Sequence, residues 1–189
     1  MKKLFVMLVI SLTMIACDKE EENINMFDWD NIATEMQETE LSAMDVLKSL
    51  QDNEYWGENI VYYYFEKDDK IVESLKLGNG LELESGITIY RFADDFIHIY
   101  ENIAPNMKYI WSLSIKEDNG LYSCYYKEKL HFEFKVVAYD EKQILIEMNY
   151  PEEFRFSTEE GKFLSKKMLI KRQASDSKWW EKAQPVGQE

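Results

Sequence analysis

Histidine, the side chain most often used in general acid–base catalysis and as a metal ligand, is rare in this chain. The chain has two, His98 in the segment FIHIY and His131 in LHFEF. Neither a His-x-His nor a Cys-x-x-Cys spacing occurs, so we predict no metal site and no cofactor. His98 is predicted to be a core or cavity histidine. His131 alternates with Glu133 and Lys135 and is predicted to lie on a solvent face.

The remaining nucleophiles and carboxylates form no catalytic pattern either. Cys124 lies in LYSCYY, an apolar and strand-like run, and we interpret it as a small buried side chain. The chain has no Gly-x-Ser-x-Gly, P-loop or dinucleotide-binding motif. With 36 acidic residues, carboxylate pairs occur by chance, and no spacing selects a glycosidase-like pair. We therefore predict that the protein is not an enzyme and rank a hydrolase last among the hypotheses.

Aromatic side chains are the residues best suited to binding a ligand. The chain contains 10 Phe, 12 Tyr and 5 Trp, and tyrosine combines an apolar ring with a polar tip that suits a small amphipathic molecule. The predicted ligand-binding residues are Tyr62, Tyr64, Tyr90, Phe92, Tyr100, Tyr109 and Trp111. The alternative is that these rings simply fill a protein core, and the sequence leaves both interpretations open.

These rings are predicted to lie on β-strands, because apolar and polar residues alternate with a period of two from residue 59 onward. In YIWSLSI, alternate residues from Tyr109 to Ile115 share one face, and in LHFEFKVVA those from Leu130 to Ala138 do. Segment 60–65 is apolar on both faces, so one face is predicted to line an interior and the other to meet a helix. Further strands are predicted at 59–66, 70–77, 86–93, 96–101, 120–126, 143–149, 153–157 and 163–171.

The order of these strands predicts a closed barrel. Short polar turns separate them, and Asn119-Gly120 is the strongest turn signal because it supplies two positive φ angles. About eight to ten sequential strands form an up-and-down meander, which closes to remove its unpaired edges. Ser42 is the predicted N-cap of a short amphipathic helix, from about 43 to 52, that precedes the strands. Eight strands enclose a space that side chains fill or that holds one ligand.

The inner face of this barrel can be predicted from the alternation. Trp111 and Leu113 are expected to point inward, close to Phe132 and Phe134 of a later strand. The tail, residues 173–189, is polar except for Trp179-Trp180, which are predicted to dock on the barrel, the alternative being that they mark a contact surface.

The N-terminus predicts export and lipid attachment. Two lysines precede an apolar run, residues 4–13, that is too short to span a bilayer. The next four residues, MIAC, resemble a bacterial lipobox. That resemblance implies that residues 1–16 are a signal peptide removed by signal peptidase II, and that Cys17 carries the lipid anchor. The alternative is an ordinary secretory signal that contains a cysteine.

The charged run DKEEE directly after Cys17 bears on localisation. It resembles the export signal of Bacteroidetes surface lipoproteins, which implies a lipid-anchored position on the outer face of the outer membrane. In enterobacteria an aspartate at this position retains a lipoprotein on the inner membrane, and a third interpretation makes the run a solvated tether only. We predict the outer membrane, with residues 17–40 as a lipidated acidic tether.

The net charge of the mature chain limits its possible partners, and its cysteine content limits its possible disulfides. Cleavage before Cys17 leaves 173 residues, of which 20 are basic and 36 acidic, a net charge of −16. Such a charge disfavours nucleic acid and anionic lipid surfaces, and it suits a basic partner or solubility. With Cys17 lipidated, Cys124 is alone and cannot form an internal disulfide.

Residues 41–172 resemble the lipocalin-like lipoproteins of Bacteroidetes. The resemblance rests on a lipobox cysteine, a helix, Trp56-Gly57 before the first strand, the order of eight or more strands, and the run YIWSLSIKEDNGLYSCYY. It implies a mainly β, lipocalin-like barrel with a short N-terminal helix. The implied function is a non-catalytic binding module for a small apolar or amphipathic molecule or a glycan. The second hypothesis is an acidic interaction or inhibitor protein for a basic partner such as lysozyme.

Overall fold

The computed structural model describes residues 28–49, 54–77, 87–103, 106–174 and 184–185. The predictions made for Cys17, the acidic run after it and Trp179-Trp180 lie outside these residues. The described elements are α1 (Trp29–Glu35), α2 (Ala43–Lys48), β1 (Glu54–Lys67), β2 (Lys70–Leu77), β3 (Ile87–Ala93), β4 (Phe96–Ile103), β5 (Asn106–Asp118), β6 (Leu121–Tyr126), β7 (Lys129–Tyr139), β8 (Gln143–Asn149), a 3-10 helix (Glu152–Phe154), β9 (Lys162–Ala174) and β10 (Gln184–Pro185). None of the helices in these ranges is long and apolar enough to cross a membrane.

Eight of the strands close into an antiparallel barrel. Around the barrel the order is β1, β3, β4, β5, β6, β7, β8 and β9, and β9 pairs again with β1. Strand β2 lies beyond β3 on the same edge of β1, where it pairs with residues 60–67. The short β10 pairs with β5 in parallel. Apart from β2, which is set aside on the edge of β1, neighbours in the barrel follow one another along the chain, so the predicted fold class, a mainly β, antiparallel up-and-down barrel with a short N-terminal helix, is confirmed.

The predicted local signals are found where the chain turns. Asn119 and Gly120 both have positive φ angles, 51° and 79°, in the β5–β6 hairpin. Ser42 caps α2 by accepting a hydrogen bond from the backbone N–H of Asp45. The predicted strand at 153–157 is wrong. The chain instead forms the 3-10 helix there and then bends, with Ser157 pairing to Lys162 in an isolated bridge.

Helix α1 was not predicted, and it lies within the segment expected to be a tether. Asp28 caps it by accepting a hydrogen bond from the N–H of Asn31. Trp29 and Met36 bury their side chains on the outside of the barrel, against Ile60 and Leu145. Apolar residues spaced by three and four positions, as from residue 29 to 36, are typical of such a helix. The folded part of the protein therefore begins earlier than the predicted boundary at residue 41.

Five bulges in the described pairings decide which side chains face the barrel interior. The pairing of β1 with β9 skips Asn59 on β1 and Leu164 on β9. The pairing of β4 with β5 skips Ile110, that of β6 with β7 skips His131, and that of β7 with β8 skips Val137. Because successive side chains of a strand point to opposite faces, each extra residue reverses the alternation on one side of the bulge.

The interior divides into a closed half beneath α2 and an open half around a cavity. In the closed half, Leu47 of α2 and Trp56 of β1 are fully buried, and the Trp56 Nε1–H donates a hydrogen bond of 3.0 Å to the Leu47 carbonyl oxygen. The rest of the closed half comprises buried apolar side chains from every strand of the barrel, namely Phe92, Ile97, Leu113, Tyr122, Cys124, Phe134, Ile144, Ile146, Met168 and Ile170. As predicted, Leu113, Phe132 and Phe134 point inward.

Candidate functional site

The open half of the barrel contains a partly enclosed cavity of about 270 Å³. Its walls come from six barrel strands and from Tyr150, which directly follows β8, and they are mainly aromatic and apolar. The lining residues are Thr88, Tyr90, Ile99, Glu101, Ile110, Trp111, His131, Phe132, Met148, Tyr150 and Lys166. A concave, largely apolar space with a few polar groups is typical of small-molecule sites, and this one lies at the lower end of their usual size.

A closed ring of three hydrogen bonds lies between this cavity and the closed half. The Lys166 ammonium donates to Glu58 Oε1 and to the Tyr90 hydroxyl oxygen, both at 2.8 Å. The Tyr90 hydroxyl in turn donates to Glu58 Oε1 at 2.7 Å. The side chains of Lys166 and Glu58 are only 9% and 3% exposed. Tyr90 and Lys166 line the cavity, while Glu58 is not among the lining residues.

Three strands bring this polar cluster together. Glu58 follows Trp56 by two residues on β1, so both point inward before the bulge at Asn59. Tyr90 pairs with Trp56 across β1 and β3. Lys166 precedes the buried Met168 and Ile170 on the inner face of β9. The ion pair thus lies within a barrel wall that is otherwise apolar.

The cluster is electrically neutral near pH 7. Burial lowers the pKa of Lys166, but the Glu58 carboxylate and the tyrosines Tyr150, Tyr90 and Tyr63 outweigh that effect and hold the pKa well above its usual value. Burial, reinforced by Glu58, raises the pKa of Tyr90 well above its usual value and that of Tyr63 to about 12. Lys166 therefore stays charged, the two phenols stay neutral, and one carboxylate balances one ammonium.

Tyr150 places a second hydrogen-bond donor beside Lys166. Burial raises the pKa of its hydroxyl, so the hydroxyl is protonated near neutral pH. It donates to the Met148 sulfur at 3.0 Å, and a thioether is only a weak acceptor. The ring packs against Phe132 and Phe163, with centroids 5.6 and 5.0 Å apart.

His131 lies at the rim of the cavity rather than on a solvent face as predicted. Its ring is half-buried between Trp111 and Phe154, at centroid distances of 5.0 and 4.3 Å. His131 is the extra residue of the bulge between β6 and β7, and the Phe154 ring of the 3-10 helix packs on it, so alternation alone misplaces the histidine. Burial, with a smaller effect of Lys129, lowers the pKa of His131, so the ring is neutral near pH 7.

The structure brings two of the seven predicted ligand-binding residues to the cavity. Tyr90 and Trp111 both line it. Phe92 also points inward, but it belongs to the closed half, where its ring packs 6.1 Å from that of Phe134. Only these two of the seven predicted residues therefore belong to the cavity wall.

Tyr62 and Tyr64 lie on the opposite face from the one predicted. The bulge at Asn59 turns the even-numbered residues of β1 outward, where they pack under α1. The Trp29 and Tyr62 rings meet edge to face at 5.3 Å. Segment 60–65 does have one inner and one outer apolar face as predicted, and Tyr63 holds the inner position.

Tyr100 and Tyr109 also lie outside the barrel. They pair with each other across β4 and β5, with ring centroids 5.3 Å apart, because the bulge at Ile110 reverses the face of Tyr109 relative to Trp111. Burial raises the pKa of Tyr100 to about 12. His98, predicted to be a core or cavity residue, shares this outer face, and its ring lies 6.2 Å from that of Tyr109.

Sequence analysis missed Glu58 and Lys166. Each leaves a weak signal, because Glu58 continues the inward face of Trp56, and Lys166 that of Met168 and Ile170. A charge at an apolar-facing position is unusual, but 36 acidic and 22 basic residues conceal two such cases. The prediction for Cys124 is confirmed, since it is fully buried, and burial raises the pKa of its thiol.

A second hollow, of about 670 Å³, lies on the surface between the α1–α2 connection and the β7–β8 turn. It is predominantly acidic, with Glu35, Glu38, Glu40, Asp140 and Glu141 in its wall and Lys142 beside them. No group of three histidine, cysteine or carboxylate side chains in the described ranges could hold a metal ion.

Comparisons with known proteins were made for the whole chain. No protein-family model and no curated protein matches it. Among solved structures it is similar to a deswapped triple mutant of bovine odorant binding protein. The two are 13% identical with a TM-score of 0.33, and the match covers 67% of this chain and 78% of that one. At this TM-score the two structures share no more than a loose likeness, and the barrel fold of this chain is established by its strand topology.

Proposed function

We propose that this protein is a non-catalytic binding module that takes one small, mostly apolar molecule into the open half of its barrel. The observation that carries the proposal is the cavity of about 270 Å³ between Trp111, Phe132 and Tyr150, with Lys166 in its wall. At about 30 Å³ for each water of the liquid, the cavity has the volume of roughly nine water molecules. A molecule of one or two rings suits such a space.

The lining favours an amphipathic molecule over a purely apolar one. Aromatic rings offer large apolar faces, and a ring that enters the cavity would stack or meet them edge to face. Lys166 and Tyr150 supply hydrogen-bond donors on one side of the same space. Such a division, with apolar walls and a few directed polar groups, gives affinity through burial and orientation through hydrogen bonds.

The other hypotheses receive less support from the described structure. Its buried charged residues are Glu58 and Lys166, which pair with each other, so no buried carboxylate pair supports a hydrolase there. A basic protein partner would suit the acidic hollow beside α1, but the interior would be expected to be filled if that were the sole function. The basic-partner hypothesis stays a prediction.

Titration of the purified protein with 2-acetylnaphthalene, followed by tryptophan emission and by calorimetry, tests the proposal. We expect saturable binding with one site. Ile99→Phe places a larger side chain in the cavity wall and should abolish or greatly weaken binding. Val137→Phe, at a position 44% exposed, is the matched control and should bind like the parent. Failure of the parent to bind, or equal loss in both variants, would contradict the proposal.

We also propose that a lipid on Cys17 anchors this module to the outer membrane, with the acidic run after it directing the module to the cell surface. The lipobox resemblance of residues 14–17 supports the anchor. Cys17→Ser should leave the precursor uncleaved and unacylated. Alanine at positions 19–22 should keep acylation and lower the sensitivity of intact cells to added protease. Normal processing of Cys17→Ser would refute the anchor, and unchanged protease sensitivity would make the run a simple tether.

A further inference from the structure

The Lys166 ammonium has an unused hydrogen-bond donor at the cavity wall. An ammonium carries three N–H groups, and among the described residues Glu58 and Tyr90 take two of them. Lys166 lines the cavity, whereas Glu58 is not among the lining residues. The third N–H is therefore available to an acceptor that enters from the cavity side.

Tyr150 offers a second donor to the same acceptor. Its hydroxyl donates to the Met148 sulfur, and an oxygen acceptor would replace this weak partner at little cost. Tyr150 and Lys166 both line the cavity and interact electrostatically. Two donors that face one apolar space are complementary to an oxygen with two lone pairs and no hydrogen of its own.

Charge decides which kind of oxygen fits. The Lys166 charge is already balanced by Glu58 at 2.8 Å, Tyr90, Tyr63 and Tyr150 are neutral, and so is His131 at the rim. A carboxylate ligand would bring an additional buried negative charge beside Glu58, and Glu101 adds a further acidic group to the wall. An ammonium ligand would face Lys166 itself.

On the basis of the proposed function, we propose that the ligand is a neutral ring compound whose carbonyl oxygen accepts hydrogen bonds from Lys166 and Tyr150. The ketone, aldehyde, ester and amide classes share this acceptor. The Glu58–Lys166–Tyr90 ring makes the site select against carboxylates of the same shape, because it presents donors without a net positive charge.

Four naphthalenes with substituents of similar size test this selectivity on the unmodified protein. They are 2-acetylnaphthalene (neutral carbonyl), 2-ethylnaphthalene (no acceptor), 2-naphthoate (anion) and 2-(aminomethyl)naphthalene (cation). We expect the ketone to bind tightest. The ethyl compound should bind about tenfold more weakly, the difference that a hydrogen bond to a charged group makes. Each charged compound should bind more weakly than the ethyl compound.

A charge change at Glu58 sharpens the test. Glu58→Gln keeps the shape of the side chain but leaves the Lys166 charge unbalanced, so 2-naphthoate should gain at least about tenfold in affinity and overtake the ketone. Glu147→Gln is the matched control, because Glu147 pairs with Lys167 at 3.1 Å in a partly exposed contact. It should leave the order of the four compounds unchanged.

The outcomes separate this inference from the proposed function. If none of the four compounds binds the parent protein, the proposed function is wrong and the inference falls with it. If the ethyl compound binds as tightly as the ketone, or if 2-naphthoate binds tightest, the cavity binds ligands but the carbonyl selectivity is refuted. The parent series decides this even if Glu58→Gln does not fold.

Discussion

The closed and open halves of the barrel are built largely from the same strands, but one is filled with side chains and the other contains a cavity. In the closed half, Trp56 and Leu47 are fully buried, the Phe134 ring stacks on Tyr122 at 4.8 Å, and the Trp56 indole N–H is satisfied by a backbone carbonyl. In the open half, aromatic rings border the cavity. The buried charged groups there are Glu58 and Lys166, which form an ion pair, and the Lys166 ammonium has one more N–H than its two hydrogen bonds use.

The difference indicates how one small barrel divides stability and binding. Protein interiors are normally packed as densely as organic crystals, and the closed half consists of side chains that are almost completely buried. The open half gives up dispersion contacts along the cavity and buries two charges, both of which reduce stability. A ligand that binds only the folded state would offset part of this loss of stability. At a free ligand concentration of one hundred times its dissociation constant, it would raise the free energy of unfolding by about 2.7 kcal/mol.

The largest expected effect distinguishes two tryptophans. Trp56→Ala should lower the free energy of unfolding by about 5 kcal/mol, at the upper end for a buried tryptophan, because it leaves a void and an unpaired Leu47 carbonyl. Trp111→Ala should cost about half as much, since the indole already borders the cavity. Denaturant unfolding measures both. Equal losses would mean that the open half is packed as tightly as the closed half.

The ion pair should be the next most sensitive feature. Lys166→Met leaves the Glu58 carboxylate buried without its partner and should lower the free energy of unfolding by about 3 kcal/mol. Adding Glu58→Leu to this variant should restore most of the loss, because two apolar side chains replace two desolvated charges. A double variant no more stable than the single one would show that the pair contributes net stability.

High pH should weaken the open half in particular. The folded-state pKa of Lys166 is raised above its unfolded value near 10.4, so its contribution is complete below about pH 10 and is lost as pH rises through the folded value. Burial raises the pKa of Tyr63 to about 12, so the stability that its neutral phenol contributes is also lost as pH rises from the ordinary tyrosine pKa toward this value. The free energy of unfolding should fall above about pH 10, by on the order of 1 kcal/mol per pH unit.

The ion-pair double variant provides the control for this pH dependence. Lys166→Met with Glu58→Leu removes the lysine and the carboxylate that perturbs the tyrosines, so its decline above pH 10 should be shallower than that of the parent. Denaturant unfolding at a series of pH values from 7 to 11 would measure both slopes. Parallel declines would assign the effect to groups outside the cluster.

The smallest effect concerns the outer tyrosines, which sequence analysis placed in the ligand site. Tyr109→Phe should change the free energy of unfolding by less than about 0.5 kcal/mol and leave ligand affinity unchanged, because the side chain lies on the outer face of β5. Tyr150→Phe should instead weaken ketone binding. If the two variants swapped these effects, the assignment of inner and outer faces would be wrong.

Much of the fold could be predicted from local patterns. Alternation placed Leu113, Phe132 and Phe134 on the inner face, and Asn119-Gly120 marked a hairpin whose geometry needs positive φ angles. Both signals are local, because the alternation of side chains along a strand and the backbone angles of a tight turn depend on only a few neighbouring residues. The site was harder to predict, because a bulge needs only one extra residue, and Asn59 and Ile110 do not differ visibly from their neighbours.

The sequence by itself determined that the chain is a β-meander with a capped helix in front and that Cys124 is a buried thiol. Tertiary structure alone decided that the barrel is filled at one end and hollow at the other. It also decided that Glu58 and Lys166, 108 residues apart, meet at 2.8 Å. The physical reason is that strand pairing is non-local: register across β1 and β9, including two bulges, determines which charges share the interior, and no short segment contains that information.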